Sequence, residues 1–185
     1  MDVGGVQPRI QLNLSYPLTI EDPHICHKGT ATILSALSSI RSTIRNKPQT
    51  QPPLLIMVSS AGVATTYRDW PLLMLPFYRW LLNTMLEDKR RVHDAVLAAS
   101  SPLTASGEEQ APLIRFVSVR PSHLVDGVGL GREKIRASAK VLDGRAAVMG
   151  YQIAREDVGV WIFEELLGKE EVEKGLVNAC VNVTW

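Results

Sequence analysis

A lysine stands where one helix of this chain should bury its apolar side. Leu82, Met85, Val92 and Val96 recur at helical spacing, and Lys89 falls on the same line, four residues after Met85 and three before Val92. A charged amine on a core-facing stripe is costly unless it is paired or opens onto a solvated cavity. Either the stripe passes beside a ligand site and the ammonium meets a ligand hydroxyl or phosphate, or the stem packs and the head reaches water. Ser59 and Ser60 are a second candidate, closing the apolar run LLIMV at 54–58. In open α/β sheets ligands bind beyond the carboxyl ends of the strands, where two hydroxyls can hydrogen-bond a cofactor or a substrate carbonyl. Alternatively, Ser-Ser-Ala-Gly is only turn chemistry. Arg120, Pro121 and Ser122 close a second apolar run at the same edge. A guanidinium there either binds phosphate or carboxylate or merely pairs with an acidic side chain.

Other groupings carry less. His24, Cys26 and His27 resemble metal ligands, but no second pair with ligand spacing follows, so a helix start is expected and no metal. Gly127-Val128-Gly129-Leu130-Gly131 follows no clear strand and opens no clear helix, which predicts a mobile loop rather than a phosphate cradle. Arg132, Lys134 and Arg136 form a small basic patch of the kind usual on a solvated face. Neither a Ser-His-Asp order nor a G-x-S-x-G elbow stands out.

The elements that must position these residues follow an α/β order. Asp22–Pro23 predicts a helix start, with Ile33, Leu37, Ile40 and Ile44 on one face. The polar, Pro-punctuated stretch 46–53 is a linker, and 54–58 suits a strand buried on both faces of a parallel sheet. Asp69-Trp70-Pro71 opens a helical stretch that Pro76 interrupts, leaving a main helix from about 77 to 99. A second buried strand, IRFVSV at 114–119, is stopped by Arg120–Pro121. Residues 122–145 read as an excursion over the sheet, and 148–153 as a short strand. A helix over 156–167 follows, and the alternation of Val177, Ala179, Val181 and Val183 predicts a last strand with one face in the core. Such an order implies a mainly parallel sheet with helices on both faces.

Length and composition bound the function. A chain of 185 residues predicts one domain, 1–185. With 20 Lys+Arg against 19 Asp+Glu the net charge is +1, which removes the electrostatic case for a general nucleic-acid binder. Two cysteines make no disulfide framework, so a reducing, cytoplasmic setting is expected. No apolar run reaches the roughly 18 residues that a membrane span needs. The start, Met1-Asp2-Val3-Gly4-Gly5, has neither the basic nor the apolar region of a secretory signal.

Four segments in order, LLIMVSSAGV, EDKRRVHDAV, IRFVSVRPSHLVDG and YQIAREDVGVWIFEELL, resemble the later half of an atypical short-chain dehydrogenase/reductase of the NmrA-like or epimerase-like kind. Fungal-type members with a GG…DP…C..GT segment before the strand are the most similar, and the resemblance spans nearly the whole chain. It implies an incomplete Rossmann-like α/β/α domain of three layers with a mainly parallel sheet, 122–150 forming a substrate-side excursion. It also implies NAD or NADP as cofactor and a small carbonyl or hydroxyl substrate. Gly4 and Gly5 would then lie near the adenine side of the cofactor. Ser59 and Ser60 would end the family's fifth strand, Ser60 as the active-site hydroxyl. Lys89 would bind the nicotinamide ribose, and Arg120, Pro121 and Ser122 would lie near the nicotinamide. Arg155, Glu156 and Asp157 would open a late helix.

Two departures bear on these implications. The family's Tyr-x-x-x-Lys pair places Met85 where the tyrosine belongs, leaving Tyr67 or Tyr78 as substitutes and Ser60 to polarise the carbonyl. The Gly-rich turn that seats the pyrophosphate, with the first three strands around it, has no counterpart in the sequence, so cofactor binding is itself in question. The expected consequences are a truncated Rossmann half and an exposed sheet edge that pairs with another copy. The rival expectation is a non-catalytic remnant or an NAD(P)-sensing regulatory protein.

Overall fold

The computed structural model describes residues 9–10, 18–19, 22–43, 51–64, 67–74, 80–103, 107, 109, 111–140 and 148–185. The chain forms two compact units, residues 1–48 with 72–95 and residues 49–71 with 96–185.

In the first unit β1 (Arg9–Ile10) and β2 (Leu18–Thr19) pair antiparallel, followed by α1 (Ile25–Thr43) and most of α2 (Asn83–Ser100). Asp22 starts α1 as expected: its Oδ1 accepts the His24 N–H at 3.0 Å. A second carboxylate, Asp88 of α2, accepts the Cys26 and His27 N–H groups at 2.9 and 3.2 Å. Two of the donors that a helix start leaves unpaired are thereby satisfied from another helix. The predicted apolar face of α1 is not in a core. The helix has no buried residue, Ile33 and Ile40 are more than half exposed, and Ile44 lies outside the described residues. Helix α2 starts at Asn83, later than expected; on its stripe Val96 is buried, while Leu82, Met85, Lys89 and Val92 are half-buried.

The second unit is built on four strands in the order β3 (Leu54–Val58), β4 (Arg115–Pro121), β8 (Ala179–Thr184), β6 (Arg136–Lys140). The first two pairings are parallel and the last antiparallel, so the sheet is mainly parallel, as the sequence implied. A separate parallel pair joins β5 (His123–Val125) to β7 (Gln152–Ala154), and β7 runs directly into α3 (Arg155–Ile162). The helix expected over 156–167 widens after Ile162 into a π-helical turn over Phe163–Leu167.

Four expectations change here. Strand β3 is not buried on both faces: it stands at the edge of its sheet among the described residues, and Val58 is exposed. Strand β4 does not stop at Arg120. It continues to Pro121, whose carbonyl accepts the Ala61 N–H at 2.9 Å; without an N–H of its own, the proline donates nothing at this last position of the strand. Strand β8 is buried on both faces: every residue of it but the half-buried Cys180 is buried, and β4 and β6 pair with its two edges. Within the excursion the described residues Arg136–Lys140 form β6, which pairs antiparallel with β8.

One sheet face is aliphatic. Val117, Val119, Val181 and Val183 pack with Ile153, Val158, Trp161 and Leu166, and Leu54 and Ile56 of β3 join them. Burying each such side chain contributes about 1.5–3 kcal/mol before ordering costs. Because side chains alternate along a strand, the residues between them face the other way. Register pairs Ser118 with Cys180 and Arg120 with Asn182 on that second face. It therefore turns from apolar at Phe116 to polar toward the carboxyl ends of the strands.

Candidate active site at the carboxyl ends of the strands

Ser59 and Ser60 continue beyond β3 alongside the end of β4. The Ser59 N–H donates to the Val119 carbonyl at 2.7 Å, and Ala61 makes the bond to Pro121 already described. Both serines are half-buried. The turn that follows needs Gly62 at φ 88°, a conformation other residues adopt only with strain. Gly62 in turn donates its N–H to Asp69 Oδ1 at 2.9 Å. That bond draws Asp69 inward, although the sequence offered it only as a helix start; it is 2% exposed.

Arg120 lies beside this turn, and its guanidinium has been taken out of water: the residue is 2% exposed. Its Nη1 donates to Tyr67 Oη at 3.2 Å. Buried polar atoms surround the pair. Asp69 Oδ2, Arg120 Nε, Asn182 Oδ1 and Ser118 Oγ all lack a hydrogen-bond partner. Four such atoms in one neighbourhood are unusual, since buried polar groups are almost always paired, by ordered water where protein does not serve.

The titration behaviour follows from burial. Burial pushes the Asp69 carboxyl above its ordinary value, opposed by the Gly62 N–H, Arg120 and Asn182. Burial also raises the Tyr67 phenol, with Arg120 pulling it down and Cys180 and Asp69 pushing it further up. The Cys180 thiol is raised by burial, Arg120 opposing, which makes it a poor nucleophile at neutral pH.

Sequence-predicted residues fare unevenly. Ser59, Ser60 and Arg120 come together at one sheet end. Pro121 and Ser122 are buried beside them, and the Ser122 hydroxyl bonds Thr184 Oγ1 at 2.9 Å, a packing contact within the fold. Lys89 belongs to the first unit, where burial draws its amine pKa down while Cys26 and Asp88 oppose the shift. His24 Nδ1 lies 2.9 Å from Arg91 Nη1, and the Cys26 and His27 amides meet Asp88, so that segment is used as a helix start. Among the described residues no three His, Cys, Asp or Glu side chains could hold a metal. Gly4, Gly5 and Tyr78 lie outside the described residues.

The glycine loop is a correction. Three of its amides are tied to the start of α3: Gly129 donates to Glu156 Oε2 at 2.8 Å, and Leu130 and Gly131 donate to the Asp157 carboxylate at 2.8 and 3.2 Å. Trp185 Nε1 donates to the same carboxylate at 2.6 Å. Gly129 is required by close approach, because a Cβ there would fall 2.1 Å from Asp157 Oδ1.

Sequence reasoning missed Asp69, Ser118 and Asn182. The signal for the last two was present: each is a polar residue inside a short apolar strand, FVSVRP or ACVNVT. Asp69 carried none, since its role depends on a turn that folds it back onto Gly62.

A mainly parallel α/β sheet with polar groups collected at the strand ends is a Rossmann-type arrangement. No protein-family model matches the chain. Over 190 residues it is 34% identical to a protein named Reductase pytE from Aspergillus terreus, covering 99% of this chain and 66% of that one. Over 158 residues it is 28% identical to Oxidase pynE from Aspergillus niger, covering 80% of this chain and 52% of that relative. A crystal structure of a short-chain dehydrogenase/reductase from Veillonella parvula superposes with a TM-score of 0.58 at 18% identity, over 85% of this chain and 57% of that chain. A second structure from that organism, in complex with NADP, gives the same score over 58% of its chain. The chain has the Rossmann-type fold of the short-chain dehydrogenase/reductases and is similar in sequence to a fungal reductase. It spans between half and two thirds of the length of the relatives it matches. Among the described residues no helix is long and apolar enough to cross a membrane.

Proposed function

We propose that the chain is an NAD(P)-dependent oxidoreductase of the atypical short-chain type, acting on a small carbonyl or hydroxyl substrate. The observation that carries this reading is the polar strand end. Two half-buried serines follow β3 alongside the end of β4, on a chain similar in sequence to a fungal reductase. Ser60 hydrogen-bonds the reacting oxygen and Ser59 lines the nicotinamide end; for Lys89, in the first unit, the ribose-binding role rests on the family resemblance. Bound NAD(P) supplies the hydride; the protein supplies position and hydrogen bonds.

The residues fit the two ends of such a cofactor unequally. Hydroxyls and buried polar atoms with unused capacity suit the nicotinamide end. For the pyrophosphate, three consecutive loop amides would be a natural seat, but Gly129, Leu130 and Gly131 already bond Glu156 and Asp157. That occupied loop favours a second reading, a non-catalytic or NAD(P)-sensing protein. Calorimetric titration with NADPH and NADH, beside Lys89→Ala, separates the two. Saturable binding that the substitution weakens is the expected result. A folded chain that binds neither nucleotide leaves the second reading.

A further inference from the structure

We propose that the open edge of β3 is a self-association surface, where two copies of this chain pair antiparallel through Leu54–Val58 about a two-fold axis at Ile56. The pairing gives the expected exposed edge a strand and a register, and it needs no part of the oxidoreductase reading.

The register follows from the hydrogen bonds that β3 already makes. The Pro53 carbonyl accepts the Arg115 N–H at 2.9 Å, Ser59 donates to the Val119 carbonyl at 2.7 Å, and Ala61 donates to that of Pro121 at 2.9 Å. In a parallel pair the main-chain groups of alternate residues point to opposite edges. The odd-numbered residues therefore face β4, and the N–H and C=O groups of Leu54, Ile56 and Val58 face away from it. Among the described residues no strand pairs on that side of β3 and no hydrogen bond reaches those groups. A two-fold axis at Ile56 sets Ile56 opposite itself and Leu54 opposite Val58 of the second copy. All of these are hydrogen-bonded pairs of an antiparallel ladder, so every outward group of the three residues is satisfied in both copies. The ladder stops there. The next pair would set Ser60 against Pro52, which has no N–H and whose carbonyl already takes Arg115 Nε at 3.0 Å.

The side chains favour the same occupant. Leu54 and Ile56 lie on the aliphatic face and are only half-buried, and Val58, on the same face, is 54% exposed. The pairing sets apolar against apolar at each position and continues the aliphatic layer from one copy into the next. Exposed edges are usually blocked by a charge, a bulge or a proline within the strand, and Leu54–Val58 has none of these. Residues 48–67 contain no Asp, Glu, Lys or Arg and the net charge is only +1, so two copies meet without like charges opposed. Three residues a side fall short of the roughly 1,000 Å² that a stable interface buries, so the dimer forms in a concentration-dependent equilibrium.

The test uses the full chain as wild type, Val58→Lys and Val58→Pro, with Val58→Thr as a control that keeps a β-branched side chain. The Val58 N–H faces away from β4, so neither lysine nor proline removes a bond within the sheet. Sedimentation equilibrium over a wide range of protein concentration reads the assembly, and amide hydrogen exchange by NMR reads the edge residue by residue. Wild type should pass from monomer to dimer. The Leu54, Ile56 and Val58 amides should gain protection as the dimer forms, while those of Leu55 and Met57 are protected throughout. Val58→Lys and Val58→Pro should each weaken association by about tenfold or more, and Val58→Thr by less than about threefold. If either variant fails to melt as wild type does, the exchange pattern of wild type decides alone. A monomer at every concentration overturns the proposal: freely exchanging edge amides would leave the edge to a strand of another polypeptide, and protected ones would put part of this chain on it. A dimer whose three edge amides stay unprotected, or which folded Val58→Lys and Val58→Pro leave intact, overturns it too. So do species that grow beyond the dimer, because this pairing closes on itself.

Discussion

Two aspartates in the second unit, Asp157 and Asp69, are equally buried and oppositely treated. Each is 2% exposed. Asp157 accepts the Leu130 and Gly131 amides and the Trp185 indole, so its charge is met by three donors. Asp69 accepts the Gly62 amide on Oδ1, while its Oδ2 is unpartnered beside Arg120 Nε and Asn182 Oδ1, which are unpartnered too. A charge can be buried when hydrogen bonds replace its water; where they are left incomplete, the group is costly and reactive. The first arrangement fastens a loop onto the start of α3. The second keeps polar capacity unused at the strand ends, where the fold collects its candidate chemistry. Buried charge alone therefore does not mark a functional site; buried charge with unspent hydrogen bonds does so better.

Asp157→Ala challenges the structural half of this comparison most strongly. It strips the partner from three donors at once, and a loss of about 3 kcal/mol or more is expected in urea denaturation. A loss under about 1 kcal/mol would mean that water replaces the carboxylate readily and that the loop is not held by it. Gly129→Ala should follow at about 2 kcal/mol, since its Cβ would fall 2.1 Å from an Asp157 oxygen that its other donors hold in place. Faster amide hydrogen exchange confined to 127–131 would accompany it.

Asp69→Asn sharpens the other half and should have the smallest effect, within about 1 kcal/mol at neutral pH, because the amide can still accept from Gly62. Its signature is in the pH dependence. The folded pKa of Asp69 is raised above the ordinary 3.8, so the folded state binds more protons than the unfolded one across that interval. Its contribution is fully present below 3.8 and is lost as pH rises through the raised folded value. Thermal melts of wild type and Asp69→Asn should therefore diverge, wild type losing ground as pH climbs from 3.8 through that window. Parallel curves would show that the carboxylate is fully satisfied and that the contrast with Asp157 is absent.

The test of Lys89 bears on the same contrast from the functional side: nucleotide binding weakened in Lys89→Ala with melting intact would separate a binding role from a structural one.

Much of the scaffold was legible in the sequence for local reasons. Apolar runs of the right length gave β3 and β4, alternation gave β8, Asp22–Pro23 gave the start of α1, and their order gave a mainly parallel α/β sheet. Ser59, Ser60 and Arg120 were legible because strand ends are where such sheets bind ligands, and the strands could be read. Tertiary structure decided the rest. Which strand stands at an edge, which glycine loop is fastened and which aspartate turns inward depend on partners far away in sequence. Asp157 meets residues 26–28 positions away, and Arg120 meets Tyr67 across 53. Hydropathy and propensity report what each residue prefers. They do not report whether a buried donor finds its acceptor, because that is settled only when separated segments meet in three dimensions.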